Sequence, residues 1–408
     1  MKIKVGVIFG GETVEHEVSI ISALQAMNKM DQEKYDIIPI YMTKDREWYT
    51  GDMLKDIESY QDLNLIKKYA KNVVLFFKKG SFILQSKGFF KRTITDIDIM
   101  FPIVHGTNVE DGALQGYFQT IGIPYVGPNV YAAAVGQDKV YMKQIFKGEN
   151  LPMTDFVWFY DAEYKSEKEK VLEKINKLSY PLIIKPATTG SSVGISTAQN
   201  EEELIKGIDD AINYDNKILV EEMVQNLKEV NISVLGNYEH QKLSEIEEVM
   251  SSSKFLTFED KYIGNGKIKG KGGFKGKLTM TPKGSKGMLS ASRKIPADLT
   301  DKERKAVEEI ATKAFKSLGS SGVCRIDFLI DEKTEKVYIN EINSIPGSLA
   351  FYLWEPLRVD YTELLDSMIN IGIKDYKKRI SKTHSFDSNI LAGYSQNSIK
   401  GAKGGLKK

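Results

Sequence analysis

The sequence predicts an α/β protein, and three observations carry that expectation. Apolar runs of strand length alternate with helical patterns through the first third of the chain. The alternation resumes after Gln137, and a β-hairpin pattern follows between Cys324 and Asn343. In the first third, strands are predicted at Lys4–Phe9, Ile37–Tyr41, Val73–Phe77 and Ile97–Val104. Helices are predicted at Glu17–Met30 and Gly112–Thr120. This order argues for a layered domain around a mostly parallel sheet. Gly10-Gly11 suits a tight strand-to-helix turn but does not complete a GxGxxG fingerprint, so it supports no dinucleotide site. The second region holds helix Lys139–Lys147, strand Phe156–Phe159, helix Glu167–Leu178, strand Leu182–Lys185, helix Glu201–Ile212 and strand Lys217–Glu221. The third, from about Val224, holds strands Val230–Leu235 and Lys242–Val249, then the hairpin and a helix at Tyr361–Ile371. The divisions expected are therefore 1–136, 137–223 and 224–384, with a basic tail at 385–408 that predicts disorder. Gly264–Gly287 carries seven lysines, eight glycines and no acid, which predicts a mobile loop.

Composition narrows the class. Apolar content of 41% and charged content of 27% are those of a soluble globular protein. A net charge of +2 implies no general affinity for nucleic acid or for a membrane surface. The single cysteine, Cys324, lies in a predicted strand and has no internal disulfide partner, which fits a reducing compartment. No apolar run reaches membrane-spanning length and the first residues enter a strand at once, so a cytoplasmic location is expected.

The hairpin carries the chemistry. Cys324-Arg325-Ile326-Asp327-Phe328 and Lys336-Val337-Tyr338-Ile339-Asn340-Glu341-Ile342-Asn343 flank a polar turn. A turn centred near Thr334 sets Asp327 opposite Glu341 and Arg325 opposite Asn343, all on one face. Two bare carboxylates about 5 Å apart repel by roughly 3 kcal/mol at an effective dielectric near 20. A cation relieves this, and an all-oxygen donor set suits Mg²⁺ carrying substrate phosphates. The plain alternative is a surface hairpin with solvated acids. Against it stands the next segment, Ser344-Ile345-Pro346-Gly347-Ser348, which is rich in backbone donors. A second feature is Lys185 at a strand end before Thr188-Thr189-Gly190-Ser191-Ser192-Val193-Gly194. Such a loop can offer backbone N–H groups to phosphate while the lysine supplies charge, or be an ordinary turn. Lys139, Glu221, Glu222 and Glu229 are weak signals taken singly.

Taken in order, these pieces identify a resemblance. Gly10 to Ser19, His105-Gly106 with Glu110 to Gly116, Asp138-Lys139, the loop Lys185 to Ser196, Phe258 to Tyr262, Arg325 to Phe328, and Asn340 to Asn343 with Pro346-Gly347 resemble the D-alanine–D-alanine ligases of the ATP-grasp superfamily. The likeness runs from the first strand to about residue 375. It implies an N-terminal Rossmann-like α/β domain, a central ATP-grasp lid domain and a C-terminal α+β catalytic domain. It also implies that ATP phosphorylates one D-alanine and that the amine of a second attacks the acylphosphate. By the resemblance, Lys139 and Lys185 contact the ATP phosphates and Lys261 the transferred phosphate. Glu221 faces the adenine, backbone from Glu222 to Val224 follows it, and Glu229 binds the ribose. Asp327, Glu341 and Asn343 hold two Mg²⁺ ions, for which Mn²⁺ is a substitute. Arg325 and the Gly347 N–H stabilise oxyanionic charge. Glu15 binds the first ammonium and forms a closing group with Ser191 and Tyr262, and His105 lies near the first D-alanine. The stretch with Tyr262 and the loop after it would be the lid that excludes water. A homodimer is the family habit.

The sequence departs from the family pattern in two places. The loop after Tyr262 is longer and richer in lysine. Around the second substrate the chain reads Gly347-Ser348-Leu349-Ala350-Phe351-Tyr352-Leu353-Trp354, with one residue inserted and Tyr352 where a small hydroxyl residue usually meets the second carboxylate. A ligase using another acceptor is therefore the competing reading. A nucleic-acid-binding role for the lysine-rich loop has only Phe274 and Tyr262 available for base stacking.

Overall fold

The computed structural model describes residues 2–250 and 292–393. The expectations for Phe258 to Tyr262, for the loop Gly264–Gly287 and for the tail beyond residue 393 lie outside the described residues. Contacts divide the chain into Met1–Ile373 and Lys374–Lys408, and the described part of the latter holds a helix end and a short 3₁₀ turn at Ile390–Gly393.

Three sheets build the larger unit. The first uses β1 (Ile3–Gly10), α1 (His16–Lys29), β2 (Tyr35–Met42), β3 (Trp48–Thr50), α2 (Leu63–Tyr69), β4 (Lys71–Lys78), β5 (Ser81–Ser86), β6 (Thr93–Ile97) and β7 (Ile99–Pro102). Its strand order is β6-β5-β4-β3-β2-β1-β7. The mostly parallel sheet expected from the sequence is corrected here. Only β1 pairs in parallel, with β2 and β7, while the pairs from β2 out to β6 are antiparallel. The cause is local: β4 turns straight into β5 through Lys79-Gly80, both left-handed (φ 49° and 83°), and a two-residue turn permits only an antiparallel return. The single strand expected at Ile97–Val104 is likewise two strands, β6 and β7, at opposite edges of the sheet. The sheet therefore curls until its edges meet at Asp98, whose carboxylate accepts from Lys4 N at 2.8 Å.

Next come α3 (Ala113–Ile121), α4 (Val130–Gln137) and α5 (Lys139–Gly148). The second sheet comprises β8 (Phe156–Tyr160), β9 (Leu182–Pro186), β10 (Ser196–Ala198) and β11 (Lys217–Glu222) in the order β10-β9-β11-β8. The helices α6 (Asp161–Ser166), α7 (Lys168–Ile175) and α8 (Glu201–Ala211) supply Tyr164, Val171, Leu204 and Ile208 to a core with Phe159, Ile184, Ile218 and Val220.

The third sheet has β12 (Leu227–Gly236), β13 (Gln241–Met250), β14 (Ser292–Lys294), β15 (Gly322–Asp331) and β16 (Lys336–Asn343), in the order β14-β13-β12-β15-β16. Helix α9 (Asp301–Ser317) covers one face, packing Val307, Ala311 and Phe315 among Val230, Ile232, Ile326 and Phe328. Strand alternation then turns Glu229, Asn231, Arg325 and Asp327 to the other face. A capping box between Thr300 and Glu303 starts α9. Finally α10 (Tyr361–Ile380) packs Leu364, Leu365 and Met368 into the core of the first sheet. Among the described residues no helix is long and apolar enough to cross a membrane.

Candidate active site

A cavity of about 440 Å³ is lined by residues of the second and third sheets and of the segments that follow β1 and β7 of the first. The hairpin forms its floor. Arg325 pairs with Asn343 and Asp327 with Glu341, the register expected from the sequence. A bulge makes this possible. Counted from the turn, Asp331 pairs with Lys336 and Phe328 with Ile339, so regular pairing would set Asp327 against Asn340. The extra residue shifts the register by one, and Asn340 and Glu341 both line the cavity. Arg325 grips Asp327 side-on, Nε to Oδ1 at 2.7 Å and Nη2 to Oδ2 at 2.8 Å, while Asn343 Nδ2 donates to Oδ2 at 3.1 Å. Burial opposes the charge of Arg325, but the carboxylate of Asp327 holds its pKa well above the usual arginine value.

Two lysines reach in from the second sheet side. Lys185, on β9, lies 2.8 Å from Glu221 Oε1 and donates to Asn340 Oδ1 at 3.3 Å. Lys139, the first residue of α5, donates to Thr189 O at 2.8 Å and stands 4.0 Å from Glu341 Oε2. The sequence reading missed Lys143. One turn further along α5, it is fully buried with Nζ 2.6 Å from Glu221 Oε2. Thr154 Oγ1 donates to the same oxygen at 2.9 Å. Burial would raise the Glu221 carboxyl, but the two ammonium groups overcome it and hold the pKa at about 2. Burial lowers Lys143, whereas Lys185 is raised because Glu221 and Glu341 outweigh its desolvation. Glu221 thus serves the lysines first, and the adenine role implied by the resemblance would use what remains of it. Glu222, Val224 and Glu229 line the same end of the cavity.

The segments that follow β1 and β7 supply another wall. Glu15 precedes α1, and Ser191 donates its hydroxyl to Glu15 Oε1 in a short hydrogen bond. Gly190 permits this contact, because a Cβ there would stand 2.6 Å from Glu15 Oε2. His105 is buried, and its Nδ1–H donates to Ile345 O at 2.8 Å. Burial lowers its pKa, so the ring is neutral and Nε2 accepts from Ser22 Oγ at 3.1 Å. Ser22 Oγ in turn accepts from Ser348 N at 2.9 Å. His105 therefore ties α1 to Ile345, and Ser22 ties α1 to the 3₁₀ turn Gly347–Leu353. Next to it, Glu110 accepts from Gly106 N, Ile345 N and Ser344 Oγ at 2.9–3.0 Å. Burial nonetheless pushes its pKa up to about 7, with the charge of Glu15 adding to the effect.

The turn itself is unusual. Ser348, Leu349 and Ala350 are all left-handed, with φ of 51°, 54° and 49°, a conformation that persists only where surroundings enforce it. Gly347 and Tyr352 line the cavity, whereas the Leu353 side chain is buried in the core of the first sheet and does not. Lys261 and Tyr262 lie outside the described residues. Besides Lys143, Asn340 and Glu110, the sequence reading missed Glu247 and Arg293. Strand alternation places Glu247 on the cavity face, but nothing in its surroundings marks it from the acids at 245 and 248.

The donor set fits a hard divalent cation. Asp327, Glu341 and Asn343 present oxygens from adjacent strands to one cavity beside Lys139 and Lys185. Among the described residues no cluster of three His, Cys, Asp or Glu side chains could hold a metal by itself, so substrate oxygens would complete the shell.

Comparison with known proteins decides the family. The profile described as D-ala D-ala ligase N-terminus matches residues 4–128, and D-ala D-ala ligase C-terminus matches residues 145–273 and 283–370. The chain belongs to the D-alanine–D-alanine ligase family. It is 38% identical to the D-alanine–D-alanine ligase of Thermosipho melanesiensis, covering 95% of this chain and 98% of that one. It is 36% identical to that of Clostridium acetobutylicum, covering 91% and 98%. Among solved structures, the D-alanine-D-alanine ligase from Coxiella burnetii aligns with a TM-score of 0.75 at 27% identity, covering 93% and 96%. The VanG D-Ala:D-Ser ligase from Enterococcus faecalis aligns with 0.72 at 28%, covering 91% and 100%. The architecture is that of the ATP-grasp ligases, and the chain is an ATP-dependent ligase.

Proposed function

We propose that this ligase joins two D-alanines at the expense of ATP, in the cytoplasm, as a step of peptidoglycan precursor synthesis. The observation that supports it best is the hairpin face of Arg325, Asp327, Glu341 and Asn343, set across one cavity from Lys139 and Lys185. Phosphoryl transfer demands cations around the moving group and in-line placement more than covalent catalysis. In the proposed sequence, a carboxylate oxygen of the first D-alanine attacks the γ-phosphorus, and ADP leaves. The amine of the second attacks the acyl carbon, phosphate leaves, and the amine nitrogen loses a proton.

In this reading Lys139 and Lys185 hold the phosphates, and Asn340 and Glu221 aim Lys185. The adenosine end of ATP lies along Glu221, Glu222, Val224 and Glu229. Glu15, kept in place by Ser191, binds the first ammonium. Arg325 and the Gly347 N–H face the oxyanion. Asp327, Glu341 and Asn343 would hold two Mg²⁺, or Mn²⁺, which supplies Lewis acidity and neutralises phosphate charge. Lys261 and Tyr262 keep their sequence-based assignments to the transferred phosphate and the closing group. The segments 1–136, 137–223 and 224–384 are the proposed functional parts, one sheet to each, and a homodimer is the proposed assembly.

The test is phosphate release from ATP and Mg²⁺ across D- and L-amino acids, with mass detection of product. D-alanine alone should yield the dipeptide. Product only with a second, different amine or hydroxy acid would replace this reading by the competing one. Tyr352 favours that alternative, because its hydroxyl is turned to Glu247, 3.1 Å away.

A further inference from the structure

The ligase reading requires a partner for the free carboxylate of the second amino acid, and Tyr352 is poorly placed to provide it. Its hydroxyl donates to Glu247 Oε2 at 3.1 Å, and that carboxylate is buried at 1% exposure. Asn231 Nδ2 donates to the same oxygen at 3.3 Å. Arg293 completes the group. Its Nε lies 3.1 Å from Glu247 Oε1, and its guanidinium carbon sits 4.6 Å from the centre of the Tyr352 ring. A guanidinium on an aromatic face, fixed on one edge by a carboxylate, is held in one orientation. A single contact through Nε engages one of five donors.

Among the described residues, four cationic side chains line the cavity: Lys139, Lys185, Arg293 and Arg325. Lys139 and Lys185 are directed to Thr189 O, Glu221 and Asn340, the phosphate end. Arg325 spends both arms of its fork on Asp327. Arg293 is the cation stacked on Tyr352, and both line the cavity together with Gly347. Its side chain keeps 19% exposure, enough to be reached.

We propose that Arg293 binds the carboxylate of the acceptor amino acid, with Glu247 and Tyr352 positioning it, so that Tyr352 serves as a platform rather than as the hydrogen-bond donor. This rests on the ligase reading and deepens it. The subsite would select acceptors by a free carboxylate and tolerate variation beside it. It also accounts for a phenol where the family usually has a short hydroxyl: only a ring offers a face for the guanidinium.

The experiment offers the full chain ATP, Mg²⁺, D-alanine and D-alaninamide together, and measures by mass the ratio of D-alanyl-D-alanine to D-alanyl-D-alaninamide. The unaltered protein should favour the carboxylate acceptor strongly. Arg293→Gln should cut that preference by about tenfold or more, the worth of a charge-assisted hydrogen bond. The Michaelis constant of the second site should rise while that of the first holds. Arg293→Lys should restore part of the preference, since charge returns without the fork. Tyr352→Phe keeps the ring and should shift the ratio less than Arg293→Gln. An unchanged ratio in Arg293→Gln, or a larger change in Tyr352→Phe, overturns the assignment to Arg293. Neither product from the unaltered protein would remove the ligase reading itself, and this inference with it.

Discussion

Asn340 and Glu341 are consecutive on β16, yet both side chains face the cavity, because the bulge opposite Asp327 and Phe328 inserts one residue into the strand. Ile339 and Ile342 on either side remain in the core. A single irregularity thus gives Lys185 an amide oxygen to lean on and returns Glu341 to a position across from Asp327.

That geometry makes the two carboxylates unequal as test sites. Glu341→Gln removes an anionic ligand from a partly exposed side chain and should lower turnover by orders of magnitude with the fold intact. Asp327→Asn also strips the partly buried Arg325 of its carboxylate, and losing a hydrogen bond to a charged group costs about 1.5–3 kcal/mol. It should therefore lose stability as well as activity. Turnover against Mg²⁺ concentration, with thermal melts of both variants, checks this. Near-normal turnover of Glu341→Gln at limiting Mg²⁺ would discard the hairpin as metal site.

Gly190→Ala should act on the first amino acid alone. The new Cβ would stand 2.6 Å from Glu15 Oε2 and push that carboxylate off Ser191. A charge-assisted hydrogen bond is worth about 1.5–3 kcal/mol, so the first-site Michaelis constant for D-alanine should rise about tenfold or more. The constant for ATP should hold. Equal increases in both constants would point to a general disturbance of the loop instead.

Stability between pH 5 and 8 should report Glu110. Its folded-state pKa of about 7 lies above the ordinary 4.5, so the folded protein binds the extra proton between these values. Stability is then full below about pH 4.5 and falls as pH rises through 7, by about 3 kcal/mol, since each tenfold change in proton affinity is worth about 1.4 kcal/mol. Glu110→Gln cannot titrate. Whatever its absolute stability, its melting temperature should lack this decline, and an identical slope in both proteins would assign the effect elsewhere.

The ease of reading the sequence followed the physics of each signal. Period-two alternation through Arg325, Asp327, Glu341 and Asn343 survives in the structure, so this polar face and its pairing were legible. The bulge was not, since a four-residue turn and one extra residue happen to give the register that an assumed centre at Thr334 gives. The first sheet misled because alternating strands and helices were read as parallel crossovers, whereas Lys79-Gly80 lacks the Asn-Gly or Asp-Gly signature of a tight hairpin. Helix α9 was missed although Thr300 and Glu303 have capping-box spacing. Lys143, Glu247 and Arg293 had no local signal, because their roles arise from strands and helices distant in sequence meeting at one cavity.

Lys143 provides the sharpest test of such a long-range role. It and Lys185 hold Glu221 ionised in a site where burial alone favours the neutral acid, and the result is a pKa of about 2. A carboxyl depressed in the folded state stabilises the protein above its unfolded value near 4.5, and that contribution is lost as pH falls from there through 2. Lys143→Met keeps the volume and removes one ammonium. Glu221 then has Lys185 and Thr154 alone, its pKa rises, and the loss begins at higher pH. Removing one partner of a buried pair costs about 3–5 kcal/mol, an upper bound here because Lys185 stays. Acid titration followed by circular dichroism should show the variant unfolding at a higher pH than the parent, together with a raised Michaelis constant for ATP as Lys185 turns further toward Glu221. Coincident acid transitions would show that Lys143 does not sustain the charge on Glu221.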